Sequence, residues 1–122
     1  MPREFSLVSS RPSTLADLVE AAGEVDGSLA LRVLDEGSSL QLVDADDVAV
    51  LTIDQSRVVH ATVDLELIIG PLPFVAGCWW TSATAPWGAA GAAGVRVVDE
   101  LSVLLGATVR VTGVDGWRTS HG

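Results

Sequence analysis

Cys78 and His60 are the clearest candidates in this sequence for nucleophilic chemistry, with Asp64 as an orienting acid. A thiol becomes a strong nucleophile where a neighbouring imidazolium lowers its pKa. His60 and Asp64 share one face of a predicted strand, but they lie four residues apart, roughly 13 Å, so they could not hydrogen-bond directly. Cys78 precedes Trp79 in an apolar run, which favours a small buried hydrophobe. The sequence therefore lacks a complete catalytic set, and we expect a protein that is not an enzyme.

Asp64 and Glu66 form a second candidate site, because they share a strand face roughly 7 Å apart. Paired carboxylates at that scale are typical of glycosidases, which also need a cleft for the sugar. A chain of 122 residues barely supplies such a cleft. We therefore interpret the pair as part of a solvent-exposed strand face.

Three aspartates, Asp44, Asp46 and Asp47, could contact a cation. An EF-hand loop that began at Asp44 would need glycine at its sixth position and glutamate at its twelfth, where this chain has Ala49 and Gln55. A hairpin turn explains the aspartates without a metal. The one cysteine and two histidines show no zinc-binding spacing either. We expect no metal and no cofactor.

Gly88, Gly91 and Gly94 recur at three-residue spacing near the start of a predicted helix. Glycines in that position can let a phosphate approach backbone amides. The usual phosphate-binding signatures need a lysine or a different glycine spacing, and Arg96 is the only nearby base. The favoured interpretation is a flat helix face that packs closely on the sheet or on another subunit.

Trp79, Trp80 and Trp87 lie in an uncharged run, residues 67–95, that also holds the only cysteine. In an extended segment adjacent side chains point to opposite faces, so Trp79 and Trp80 cannot both enter one core. Exposed tryptophans are typical of protein interfaces. The three tryptophans are therefore the predicted partner-binding residues. The alternative is that one fills the core and the other covers the sheet edge or the second helix.

The composition excludes several classes of partner. The chain has a formal charge of −9 and a pI near 4.3, which disfavours binding to nucleic acids and to anionic membranes but not to basic proteins. Prolines and glycines interrupt the uncharged run, which argues against a membrane-spanning helix. The first residues show no signal-peptide pattern, so we expect a cytoplasmic protein.

The hydrophobic pattern predicts an α+β domain with the order β-α-β-β-β-β-α-β: one antiparallel sheet of five to six strands, with both helices on one face. Residues 1–113 form the predicted domain and residues 114–122 a C-terminal tail. The expected elements are a first strand at 5–8, a helix at 14–23 ended by Gly23, a strand at 29–34 with one buried face, strands at 40–43, 48–53 and 58–69, a turn at 54–56, a tryptophan loop or irregular strand, a helix ended by Gly106, and a strand at 108–112.

These observations favour a small acidic protein-binding module that acts through the tryptophan-rich surface and forms a homodimer. In size, charge and fold class it is similar to secretion chaperones and toxin-immunity proteins, an analogy that rests on outline alone. The alternative is a ligand-binding protein or enzyme with a pocket between the sheet and the tryptophan loop. That pocket would contain His60 or Cys78.

Overall fold

A computed structural model describes residues 3–59, 78–112 and 118–119. The predicted α+β class is confirmed, and these residues form one antiparallel sheet and two helices. In chain order the elements are β1 (Arg3–Ser9), α1 (Leu15–Val25), β2 (Ala30–Leu34), β3 (Ser39–Val43), β4 (Ala49–Asp54), β5 (Arg57–Val59), β6 (Cys78–Ala85), α2 (Ala89–Leu105), β7 (Thr108–Thr112) and β8 (Arg118–Thr119). Most of the strand expected at 58–69 and most of the expected tail lie outside the described residues.

The sheet order is β2-β3-β4-β6-β1-β7-β8, and β5 pairs with β6 beyond the end of β4. Strands β1 and β6 form the centre, where seven residue pairs run from Arg3 opposite Ala85 to Ser9 opposite Trp79. Both helices contribute to one apolar core on the same side of the sheet. We call this side the helix face and the other side the second face.

The tryptophan segment, for which a loop or an irregular strand was expected, is a regular central strand, β6. Its helix-face residues include Thr81, Ala83 and Ala85, all of them buried. Residues on both faces of this part of β6 are small and similar in polarity. The sequence therefore lacks the apolar–polar alternation that identifies a strand. Burial beneath α2 requires this small size.

Helix α2 packs closely against the sheet through two glycines. Gly91 and Gly94 are buried, and a Cβ added at either would overlap a backbone carbonyl oxygen, that of Pro86 and that of Val50 respectively. The predicted close-packing face is therefore confirmed for Gly91 and Gly94, which pack on Pro86 and on β4, but not for Gly88, which precedes the helix and has open space around it. Gly106 ends the helix in the left-handed conformation at φ 61°, as predicted.

The N-terminus of α1 carries a capping box formed by Thr14 and Asp17. The Thr14 hydroxyl accepts from the Asp17 N–H at 3.2 Å, and the Asp17 carboxylate accepts from the Thr14 N–H at 2.9 Å. Arg11 donates to Asp17 at 2.8 Å and to the carbonyl of Leu104, near the end of α2, at 3.1 Å. The hydrogen bond from Arg11, followed by those from Thr14, holds the pKa of Asp17 well below its usual range. This small network joins one end of each helix.

Gly23 does not end α1 as expected. The helix continues to Val25, which packs against the core, and the Asp26 N–H donates to the Ala22 carbonyl at 2.9 Å. Core contact beyond the glycine outweighs the weak helix propensity of that single residue.

The turn expected at 54–56 is a bulge, and the chain does not reverse there. Ile53 lies opposite Ala83, and Arg57 lies opposite Trp80, so β4–β5 advances four residues while β6 advances three. The Ser56 hydroxyl meets the buried Thr81 hydroxyl at 2.6 Å. The bulge therefore supplies a hydrogen-bond partner to a polar group that is buried in the centre of the sheet.

Candidate binding surface

The three tryptophans predicted to bind a partner occupy different parts of the molecule. Trp79 and Trp80 point to opposite faces of β6, as their adjacency requires, and both are half-buried. Trp87 follows β6 and is 43% exposed, and the Arg3 guanidinium lies 4.5 Å from its ring centroid. The structure does not bring the three together into one exposed surface.

Cys78 and Trp80 belong to a small apolar cluster on the second face of the sheet. Cys78 and Val8 are buried there, and Val59 and Trp80 pack against them. Burial raises the pKa of the Cys78 thiol, which lowers the fraction of thiolate at neutral pH. This environment fits the interpretation of Cys78 as a small hydrophobe. His60, Asp64 and Glu66 lie outside the described residues, so their roles stay predictions.

Within the part of the chain that the structure describes, strand β2 forms one edge of the sheet, and its predicted buried face is wrong. Leu31 lies opposite Leu42 and Val33 lies opposite Leu40, which places Leu31 and Val33 on the helix face. Nevertheless Leu31 is 36% exposed and Val33 is 60% exposed. The reason is that α2 packs over β4 and α1 packs chiefly against α2, so the helix layer stops short of the edge strand.

Helix α1 carries two more exposed aliphatic side chains. Leu15 is 54% exposed and Val19, one turn further along the same flank, is 56% exposed. Leu15 lines a groove of about 210 Å³ together with Leu18 of α1 and Leu40 of β3. Leu40 lies opposite Val33, so one wall of the groove belongs to the strand next to β2. We call Leu15, Val19, Leu31 and Val33 the edge surface, together with the edge of β2 that pairs with no other strand among the described residues.

Nearly all the net charge of the protein lies in the segment that forms this edge. Residues 15–47 contain nine acidic residues and one arginine, a charge of −8, whereas the rest of the chain has seven acidic residues and six arginines and carries −1. The single arginine, Arg32, forms an ion pair with Asp47 and donates to Gln41 at 3.3 Å. The edge surface is therefore apolar in its middle and acidic around it.

The aspartates after β3 form a hairpin turn, in line with their interpretation. The Asp44 carboxylate accepts from the N–H groups of Asp46 and Val48 at 2.9 and 3.0 Å, and Asp47 adopts a positive φ of 63°. Within residues 3–59, 78–112 and 118–119, no group of three His, Cys, Asp or Glu side chains is arranged to hold a metal ion. None of the helices in this part of the chain is long and apolar enough to cross a membrane.

Comparison of the chain with protein-family models, with curated proteins and with solved structures found no match.

The edge surface was missed in the sequence, although one signal for it is present. The apolar residues of α1 cover a wide stripe around the helix, from Ala21 on one flank to Val19 on the other. Only Leu18, Ala21 and Ala22 in this stripe are buried. A stripe wider than one contact surface indicates a second contact on its uncovered flank. No such signal exists for β2, whose pattern is typical of a strand buried on one face.

Proposed function

We propose that this protein is a protein-binding module that receives an extended segment of another polypeptide along the open edge of β2. The observation that carries the proposal is the exposure of Leu31 and Val33 on the helix face of an edge strand. Strand addition uses the unpaired backbone groups of such an edge for affinity and the flanking side chains for specificity.

The surroundings of β2 support this mode of binding. An added strand would continue the helix face of the sheet, and its side chains on that face would cover Leu31 and Val33. Burial of these side chains favours association by roughly 25 cal/mol for each Å² of apolar area removed from water.

This proposal keeps the class of function expected from the sequence but moves the binding surface. Trp87 stays a predicted contact residue, in a different part of the molecule. Trp79 and Trp80 are half-buried, so less of their surface is accessible to a partner. The homodimer, the cytoplasmic location and the chaperone-like or immunity-like role stay predictions. The absence of an assembled catalytic set in the sequence favours binding over catalysis.

The proposal is tested by titration of a neutral peptide, Thr-Val-Thr-Val-Thr, followed through the backbone amide resonances of the protein. We expect the largest shifts at residues 30–34 and slower hydrogen exchange of the outward-facing amides of β2. A Val33→Ser variant should bind the peptide about fivefold more weakly, because it removes part of the buried apolar area.

Val103→Ser is the matched control for this experiment. Val103 lies on α2 and is 76% exposed, so the same change alters surface polarity away from β2. Its affinity for the peptide should equal that of the unchanged protein. Shifts confined to other strands, or an equal loss of affinity in both variants, would contradict binding at β2.

A further inference from the structure

We infer that the segment received by β2 has aliphatic side chains at two alternate positions, a small neutral side chain between them, and an arginine or lysine at each end. This inference rests on the proposed function and specifies the chemistry of its partner. It follows from the side chains that β2 and its two flanking turns present.

The two aliphatic positions follow from the helix face of β2. Leu31 and Val33 are two residues apart on that face, and the residues of an added strand directly opposite them would point to the same side. Apolar side chains at those two positions would cover Leu31 and Val33 and extend towards the groove lined by Leu15 and Leu40. Polar side chains there would lose water without gaining a hydrogen-bond partner.

The neutral central position follows from Arg32. This side chain lies on the second face of the sheet, opposite Gln41, and is ion-paired with Asp47. A strand residue placed opposite Arg32 would share that face. A basic residue would repel the guanidinium, and an acidic residue would compete with Asp47 in an already acidic region. A small neutral residue such as threonine avoids both costs.

The basic ends follow from the acidic residues at both ends of β2. Asp26 precedes the strand, and its carboxylate accepts hydrogen bonds from the Ser28 N–H and hydroxyl, which lower the pKa of Asp26 and keep it charged. Asp35 and Glu36 follow the strand in a tight turn, where both have positive φ and both are exposed. Acidic groups at both ends favour basic ends on the partner in either strand direction.

A second copy of this chain is a poorer occupant of the edge. Two β2 strands paired about their centre would place Arg32 opposite Arg32. They would also bring together two segments that each carry a charge of −8. Like charges at such close range disfavour association.

The test compares three synthetic peptides by titration at low and at physiological salt. They are Arg-Val-Thr-Val-Arg, the acidic counterpart Glu-Val-Thr-Val-Glu, and Arg-Val-Val-Thr-Arg, which has the first composition without the alternation. We expect the first to bind at least tenfold more tightly than either of the others at low salt. Its advantage over the acidic peptide should shrink as salt screens the charges.

A pair of charge variants locates the effect on the protein. The double variant Asp35→Asn/Glu36→Gln should reduce the preference for basic ends at least threefold, because it removes the acids beside the end of β2. The control Asp99→Asn/Glu100→Gln makes the same charge change on the exposed side of α2 and should leave that preference unchanged. An equal effect in both would show general attraction by net charge and would overturn the inference.

The outcomes separate this inference from the function on which it rests. If the acidic and basic peptides bind β2 equally well, the charge inference fails and strand addition stands. If no peptide perturbs residues 30–34, strand addition itself fails. If the protein forms a dimer that protects the same amides, a second copy is the occupant and both the inference and its charge argument are wrong.

Discussion

Helix α2 and helix α1 meet the same sheet in opposite ways. Helix α2 uses Gly91 and Gly94 to bring its backbone onto Pro86 and β4, above the small side chain of Ala85. Helix α1 uses larger residues, packs mainly against α2, and leaves Leu15 and Val19 exposed beside an edge strand. The backbone of α2 approaches the sheet closely because its contact residues are small. The larger residues of α1 leave aliphatic area exposed.

Whether a strand is buried in this protein depends on whether a helix covers it rather than on the hydrophobicity of the strand. Val50 in β4 and Val33 in β2 are the same residue type, yet Val50 is 2% exposed and Val33 is 60% exposed. Strand β4 lies beneath α2, whereas β2 lies beyond the cover of both helices. The surface left uncovered is the one that we propose for binding.

Gly94→Ala should give the largest change in stability. The added Cβ would overlap the carbonyl oxygen of Val50, which is backbone and cannot rotate away, so we expect a loss of about 3 kcal/mol or more in the free energy of unfolding. Gly23→Ala is the control, because a Cβ at Gly23 meets nothing within 4 Å; it should stabilise α1 by about 0.5–1 kcal/mol. Urea unfolding measures both, and equal effects would remove the distinction between the two helices.

The valine pair gives the next largest difference. Val50→Ala should lower the free energy of unfolding by about 2 kcal/mol, because it leaves a cavity beneath α2. Val33→Ala should change it by less than about 0.5 kcal/mol, as is usual for an exposed side chain. The test is to compare the urea midpoints of the two variants with that of the unchanged protein, provided that all three share the same dependence of the free energy of unfolding on urea. A large loss at Val33 would mean that the edge is already covered in the free protein, contrary to the proposed function.

Asp17→Asn should destabilise the protein less than Gly94→Ala or Val50→Ala, by about 1 kcal/mol at neutral pH, because it weakens the capping box and the ion pair with Arg11. The folded protein lowers the pKa of Asp17, so its contribution is present above the unfolded pKa and is lost as pH falls through the folded value. The variant should therefore lose less stability than the unchanged protein between about pH 4 and pH 2. Glu20→Gln, on the same helix, serves as the control; if it flattens the acid limb equally, the assignment to Asp17 is wrong.

Features that depend on neighbouring residues along the chain could be predicted from the sequence. The Thr14–Asp17 capping box and the helix end at Gly106 are examples, because each is formed by a few consecutive residues. The exposure of β2 could not be predicted, because it depends on where the helices stop across the sheet. Strand β6 was missed for a related reason: its small residues are suited to the glycines of α2, which lie elsewhere in the sequence.

The candidate site also combines features that follow from adjacent residues with features that depend on packing across the fold. The opposite orientation of Trp79 and Trp80 follows from their adjacency, and the structure has it. The groove that Leu15 and Leu40 line depends on the packing of α1 near β3, which no local pattern encodes. The net charge follows directly from the sequence. That most of it lies at one edge of the sheet follows only from the strand order.

The bulge at Ser56 changes which sheet face odd-numbered residues occupy. Before it, the odd-numbered Leu51 and Ile53 point towards the helices; after it, the odd-numbered Val59 lies opposite Cys78 on the other side. A regular strand of the same length, without the bulge, would turn Val59 to the helix side and Val58 towards Cys78. Deletion of the one extra residue would instead remove the bulge and leave Val59 opposite Cys78, so this single residue determines which side chains enter each of two separate cores.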